Sequence, residues 1–265
     1  MTKLRENLHI FAALVGRDLH LMRRMLFDNL LDSSIIVGVS YLLYGKLLPS
    51  MGTSPALITP TFFGVIAIIL VNLSYDRAMT DAIDFDSHKL IHYQMLTPIS
   101  SAIFPLKYIC SYVLDILIST IPVMILGWIV FGPLLVLERC NILLFALVYI
   151  LGAAFMSTLL LLVAVARPFQ WFAYLTWPFI LLPLTTLGSF YYPLKAVEQM
   201  MPWFGAIVRW LPTTSLVEGM RGSMINGAQY LPVTECIMRL VVYNIIAYFL
   251  LSKMMRKRFD MVEEQ

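Results

Sequence analysis

Between Leu187 and Gly222 the chain is too apolar for water and too broken to cross a bilayer. The stretch reads LGSFYYPLKAVEQMMPWFGAIVRWLPTTSLVEGMRG, and Pro193, Pro202 and Pro212 leave pieces of at most nine residues between them. A spanning helix needs about 20 mostly apolar residues, and a proline inside a helix removes a donor and clashes with the preceding turn. Broken backbone at membrane depth is tolerated only where protein or a water-filled cavity covers it. The segment therefore reads as a re-entrant hairpin set into one face of a membrane protein.

The rest of the chain agrees. Of its 265 residues 60% are hydrophobic and 13% charged, against about 25% charged in ordinary domains. The class is an all-α, polytopic membrane protein. A net charge of +3 gives no case for nucleic acid, since the basic residues flank apolar segments instead of forming a stripe. The first 25 or so residues lack the apolar core of a signal peptide, so no cleavable signal is expected and insertion falls to the first span. Cys110, Cys140 and Cys236 show no metal-type spacing. Cys140 and Cys236 both fall on the outer side, which leaves a disulfide conceivable; small buried apolar residues are the plainer reading.

Residues 3 to 28 alternate as an amphipathic helix. Leu8, Phe11, Ala12, Val15, Leu19, Met22 and Leu26 share one face, with Arg5, His9, Arg17, His20 and Arg24 opposite. Such a helix lies in the membrane interface. Six spans are expected, at about 30–48, 57–75, 106–131, 142–166, 169–187 and 233–251, with Pro178 and Pro183 bending the fifth. The longest polar stretch runs from Asp76 to Lys107. Domain limits follow: an interfacial helix over 1–29, then a membrane domain over 30–265, its polar loop at about 76–105 and its external hairpin at about 188–224.

Lysine and arginine set the orientation. Six of the nineteen fall on one side, Lys46, Arg139, Lys195, Arg209, Arg221 and Arg239, and the other thirteen on the side of the N-terminus. Both termini and the polar loop are thus expected in the cytoplasm, and the hairpin outside.

Catalytic patterns are missing. The sequence has no Walker lysine loop, GxSxG or HExxH. His88 and His92 are four apart, a spacing that suits a metal, but without further obvious ligands they read as an ordinary polar face. No catalytic or metal residue is assigned. Asp115 is the one acid well inside a span, a functional candidate by position. Ser111, Tyr112 and Ser119 near its face favour a hydrogen-bonded structural acid. Glu235 and Arg239 read as an i,i+4 pair. In the polar loop, Leu90, Ile91, Met95 and Leu96 gather on one side of a short helix that Pro98 stops. That helix is built either to press into a partner's groove or to lie on the surface.

Three passages resemble the ABC-2 family of transporter permeases, of the type that exports polysaccharides and lipo-oligosaccharides. Gln94-Met95-Leu96-Thr97-Pro98-Ile99-Ser100 resembles the passage after that family's cytoplasmic coupling helix. Phe190-Tyr191-Tyr192-Pro193-Leu194 resembles its hairpin start, and Leu211 to Gly222, with Pro212, Glu218 and Arg221, resembles the hairpin end; Leu211 stands where the family usually has Asn. The resemblance implies two permease chains, identical ones by expectation, each docked on a separate cytoplasmic ATPase that binds ATP and magnesium; no cofactor belongs to this chain. It implies a bacterial inner-membrane location. It assigns coupling to Arg17 and Arg24 of the first helix and to Asp86, His88, Lys89, Leu90, Ile91, Tyr93, Met95 and Leu96 of the loop. It assigns the translocation path to Thr59, Phe62, Phe63, Asn72, Thr185, Thr186, Ser189, Tyr191 and Tyr192. It leaves Pro193, Pro212, Glu218 and Arg221 to hold the hairpin.

Aromatic and hydroxyl groups together suit an amphipathic cargo such as a lipid-linked saccharide or lipid; a hydrophobic drug or toxin is the alternative. The same aromatics also fit plain interfacial anchoring. From a different class, a proton- or ion-coupled transporter working through Asp115 predicts transport without an ATPase. A non-transporting membrane scaffold predicts no effect of the second and fifth spans beyond stability.

Overall fold

The computed structural model describes residues 2–23, 25–54, 57–87, 103–137, 140–225 and 230–263, and of residues 2–8, 21, 86, 87 and 258–263 it describes the backbone alone. Among the described residues every long element is a helix. They are α1 (Thr2–Met22), α2 (Leu26–Ser50), α3 (Ile58–Ser87), α4 (Phe104–Phe131), α5 (Ile142–Ala166) and α6 (residues 169–187). Three short helices build the hairpin, α7 (Leu194–Met200), α8 (Pro202–Val208) and α9 (Pro212–Met224), and α10 (Val233–Glu263) closes the chain.

The charge-free run of α5 is apolar on every side, as a helix surrounded by protein should be. It packs on α3, α9 and α10. Gly152 lets α9 come close: a Cβ there would meet Leu216 Cδ1 at 2.3 Å, the small-residue contact that membrane helices use in place of a hydrophobic drive. The apolar windows of α3 and α5 are 83% and 67% buried, against 17% for α2. So α3 and α5 form the centre, while α2 keeps Phe27, Leu31, Ile35, Val39 and Leu42 exposed along one side.

Five described helices, α2, α3, α4, α5 and α10, are long and apolar enough to cross a membrane. The expected fifth span, α6, consists of three abutting pieces: Phe169–Thr176, a π-helical turn Trp177–Leu181, and Leu182–Leu187. Pro178 and Pro183 open the second and third pieces, where their missing N–H groups release carbonyls and widen the turn.

The polar stretch expected to leave the membrane at Asp76 stays helical as far as Ser87. No glycine or proline interrupts residues 65–97, and Ala78, Ala82 and Phe85 are buried at helical spacing. The last helix likewise runs beyond Leu251 to Glu263. The first helix ends at Met22, short of the expected limit. All three cysteines are free, and Cys140 is exposed at φ 45°, which corrects its reading as a buried residue.

Candidate functional site

Two buried charge clusters hold the elements that the resemblance assigns to coupling and to the hairpin. The first ties α1 to the base of α4. Lys107 Nζ, whose side chain is 1% exposed, pairs with Asp18 Oδ2, whose side chain is 4% exposed. Ser111 Oγ donates to the same oxygen at 3.2 Å, and Arg17 Nη2 donates to Asp18 Oδ1 at 2.9 Å from a half-exposed position. Burial alone would push the Asp18 carboxyl up; Lys107 and Arg17 outweigh it and hold the group below the usual carboxylate value.

The cluster continues onto α3. Tyr112 Oη donates to Asp81 Oδ2 at 2.7 Å, and Arg77 Nη2 lies 3.9 Å from Asp81 Oδ1, its guanidinium 5.7 Å from the Tyr112 ring centre. Asp115 is buried on α4 with Arg77 as its nearby positive charge. One expectation for Asp115 is therefore corrected. Ser111 and Tyr112 spend their hydroxyls on Asp18 and Asp81. One polar core thus joins α1, α3 and α4 where the segment 88–102 leaves and returns.

Of the residues assigned to ATPase coupling, Arg17 sits on this core with part of its guanidinium in solvent. Asp86 lies in the last turn of α3. Arg24, His88, Lys89, Leu90, Ile91, Tyr93, Met95 and Leu96 lie outside the described residues.

The second cluster locks the hairpin. Arg221, with no exposed surface, donates from Nε to the Pro60 carbonyl (2.9 Å), from Nη1 to Tyr192 O (3.0 Å) and Glu218 Oε1 (2.8 Å), and from Nη2 to Phe190 O (3.2 Å). Glu218 Oε1 also accepts the Leu194 N–H at 3.1 Å. Pro193 caps α7 and Pro212 opens α9, positions that need no N–H donor. A Cβ on Gly64 would lie 1.8 Å from the Phe190 carbonyl oxygen, so only glycine lets the hairpin backbone seat on α3. Arg221, on the outer side in the charge count and assigned to hold the hairpin, is buried as an internal staple. Farther out, Glu235 pairs with Arg239 as the spacing predicts, and Arg209 joins them at 3.5 Å.

The residues assigned to the path fall into two groups. Thr59, Phe62 and Phe63 are buried; Thr59 Oγ1 accepts the Val136 N–H, Phe62 packs on Phe131, and Phe63 on Phe145. Ser189 is also buried, at φ 62°. Thr185 is buried too and, with Thr186, returns its hydroxyl to Leu182 O. Tyr191 is 44% exposed, Tyr192 donates to Thr186 O, and Asn72 lines a cleft between α2, α3 and α6.

Asp18 and Asp81 escaped the sequence reading, although Asp18 left a signal. Val15, Asp18 and Met22 share the buried face of α1, and an acid on an apolar stripe requires a buried cation. Nothing local in the sequence points from Asp18 to Lys107, 89 positions away.

Comparison with curated proteins and with solved structures gives no match. The family model described as ABC-2 type transporter matches residues 9–225, from α1 through the end of the hairpin. The chain belongs to the ABC-2 type transporter family and is a multi-pass membrane permease of an ABC transporter, whose partner is an ABC ATPase subunit.

Proposed function

We propose that this permease works outward, moving a lipid-linked saccharide, lipid or other amphiphile, as one of two permease chains driven by two separate ATPases. The observation that carries the reading is the Asp18–Lys107 pair. It fastens α1 to the helix that begins where the segment 88–102 ends. A push on that segment by a closing ATPase would then move α1, α3 and α4 as one piece, and through α3 reach the Arg221 staple at the opposite end. Mechanical coupling needs no catalytic side chain here, and Asp18, Asp81 and Glu218 are already paired with cations.

Under this reading Arg17, Asp86 and the segment 88–97 face the ATPase, while Asn72, Thr186, Tyr191 and Tyr192 are the path residues this chain presents. Both termini lie in the cytoplasm of a bacterial inner membrane. The test is transport by the permease–ATPase complex in proteoliposomes, offered a lipid-linked oligosaccharide and, separately, a hydrophobic drug. ATP-dependent movement of the oligosaccharide lipid supports the reading; movement of the drug alone makes it an efflux permease. ATP-independent movement lost in Asp115→Asn would replace it with an ion-coupled transporter.

A further inference from the structure

The short hairpin helix α8 turns an apolar face away from the protein. Its inner face is already used: a Cβ on Gly205 would lie 2.6 Å from Glu198 Cγ, and Val208 is fully buried in a small cluster with Leu194, Leu231 and Cys236. On the other face Trp203, Ile207 and, just past the helix, Trp210 recur at steps of four and three. Trp203 is 69% and Trp210 64% exposed, and exposed Met200 and Met201 extend the patch toward α7. No charged residue occurs from Gln199 to Val208. A contiguous apolar patch of this kind marks a contact with a protein or a membrane.

The neighbouring helix decides between the two. α10 is long and apolar enough to cross a membrane, and Met238, Val242, Ile245 and Phe249 stay exposed along one side, at the spacing of a lipid-facing strip. Trp210 stands where that strip begins. Its carbonyl accepts the Tyr243 hydroxyl at 2.6 Å, and its ring lies 4.4 Å from the Arg239 guanidinium. The hairpin patch therefore continues the membrane-facing side of α10. The charges around it, Arg209, Glu198, Glu235 and Arg239, are spent on one another. Tryptophan gathers at the headgroup level, where its ring meets acyl chains and its N–H meets water. A third exposed ring, Trp128, lies near the end of α4, which meets α3 at Thr59 as the hairpin meets it at Pro60.

We infer that α8 lies flat in the lipid headgroup layer, its Trp203, Ile207 and Trp210 face dipped about 5–10 Å into the acyl boundary. The hairpin is then held on α3 by Arg221 and at its rim by lipid. The inference goes beyond the permease reading and does not depend on it, since the contact is read without cargo or ATP.

The probe is bimane attached to Ile207→Cys in a Cys110→Ser/Cys140→Ser background. The full-length permease with its ATPase is set in nanodiscs of phosphatidylcholine and phosphatidylglycerol, with a nitroxide either at the head of the acyl chain or near its end. Bimane emission should shift to the blue and be quenched more by the shallow nitroxide than by the deep one, while iodide in the water quenches it little. If Ile207→Cys misfolds, Trp203→Cys, one turn earlier on the same face, should report the same order. Strong quenching by iodide with none by lipid overturns the inference in favour of a water-exposed hairpin. Equal or stronger quenching by the deep nitroxide overturns the headgroup placement. Quenching by neither overturns the lipid contact, and a disulfide between unlabelled Ile207→Cys chains would then name a second copy as the occupant. Shallow quenching in a permease that moves no cargo still supports the contact and counts only against the transport reading.

Discussion

Changing Asp18 to Asn tests the inner cluster at its weakest point. The substitution keeps the shape and one acceptor but leaves the Lys107 ammonium, 1% exposed, without its counter-charge. Removing one partner of a buried pair costs about 3–5 kcal/mol. The half-exposed Arg17 contact adds at most about 1 kcal/mol. A loss near 3 kcal/mol is expected for Asn, which can still accept from Ser111, and more for Ala. Replacing both partners by apolar residues, Asp18→Leu with Lys107→Met, should recover most of it, because an apolar pair leaves no stranded charge. Thermal melting in detergent measures stability, and ATP hydrolysed per substrate moved measures coupling; Asp18→Asn should hydrolyse ATP with less transport per turnover.

The pH dependence has a fixed sign. The Asp18 value is held below its ordinary 3.8, so its contribution is full above that value and is lost as pH falls below it. The reasoning is refuted if Asp18→Asn melts with the wild type, or if the single and double changes add within about 0.5 kcal/mol.

Arg221→Ala should cost about 3–5 kcal/mol, since it strands Glu218 and frees the carbonyls of Pro60, Phe190 and Tyr192; melting and membrane yield read it. Gly64→Ala should lose at least about 1–3 kcal/mol, because the new methyl meets the Phe190 backbone and not a movable side chain. Cys140, exposed before α5, should react with a membrane-impermeant maleimide added outside intact cells. Buried Cys236 should react only after denaturation; labelling of Cys140 solely in opened cells would reverse the proposed orientation.

The layout was legible where local chemistry decides it. The limits of α5 follow from its charge-free run, and the hairpin's helices begin at or beside the prolines that ruled out a span. Charged residues misled where they entered a helix without a breaker. Asp76 to Asp84 read as loop because polar residues usually leave the membrane, yet nothing in the backbone stops α3 there and Arg77, Asp81 and Tyr112 satisfy one another inside. The orientation count used Lys107 and Arg221 as charges, and the structure buries both. Lys107 finds Asp18 on a helix 89 positions away, and Arg221, beside Glu218 in its own helix, reaches the carbonyls of Pro60, Phe190 and Tyr192, so only packing reveals those contacts. Phe62 and Phe63 show the reverse case: aromatic composition suited a path, but their rings fill contacts with Phe131 and Phe145.

The most direct test of the account is recovery of an ABC ATPase with the tagged permease from mild detergent. It is run on the wild type and on a variant with Leu90, Ile91 and Met95 changed to Asp. The account predicts that the ATPase comes down with the wild type and is lost with the variant, while the variant's melting is unchanged. An ATPase retained equally by both forms, or by neither, would contradict it.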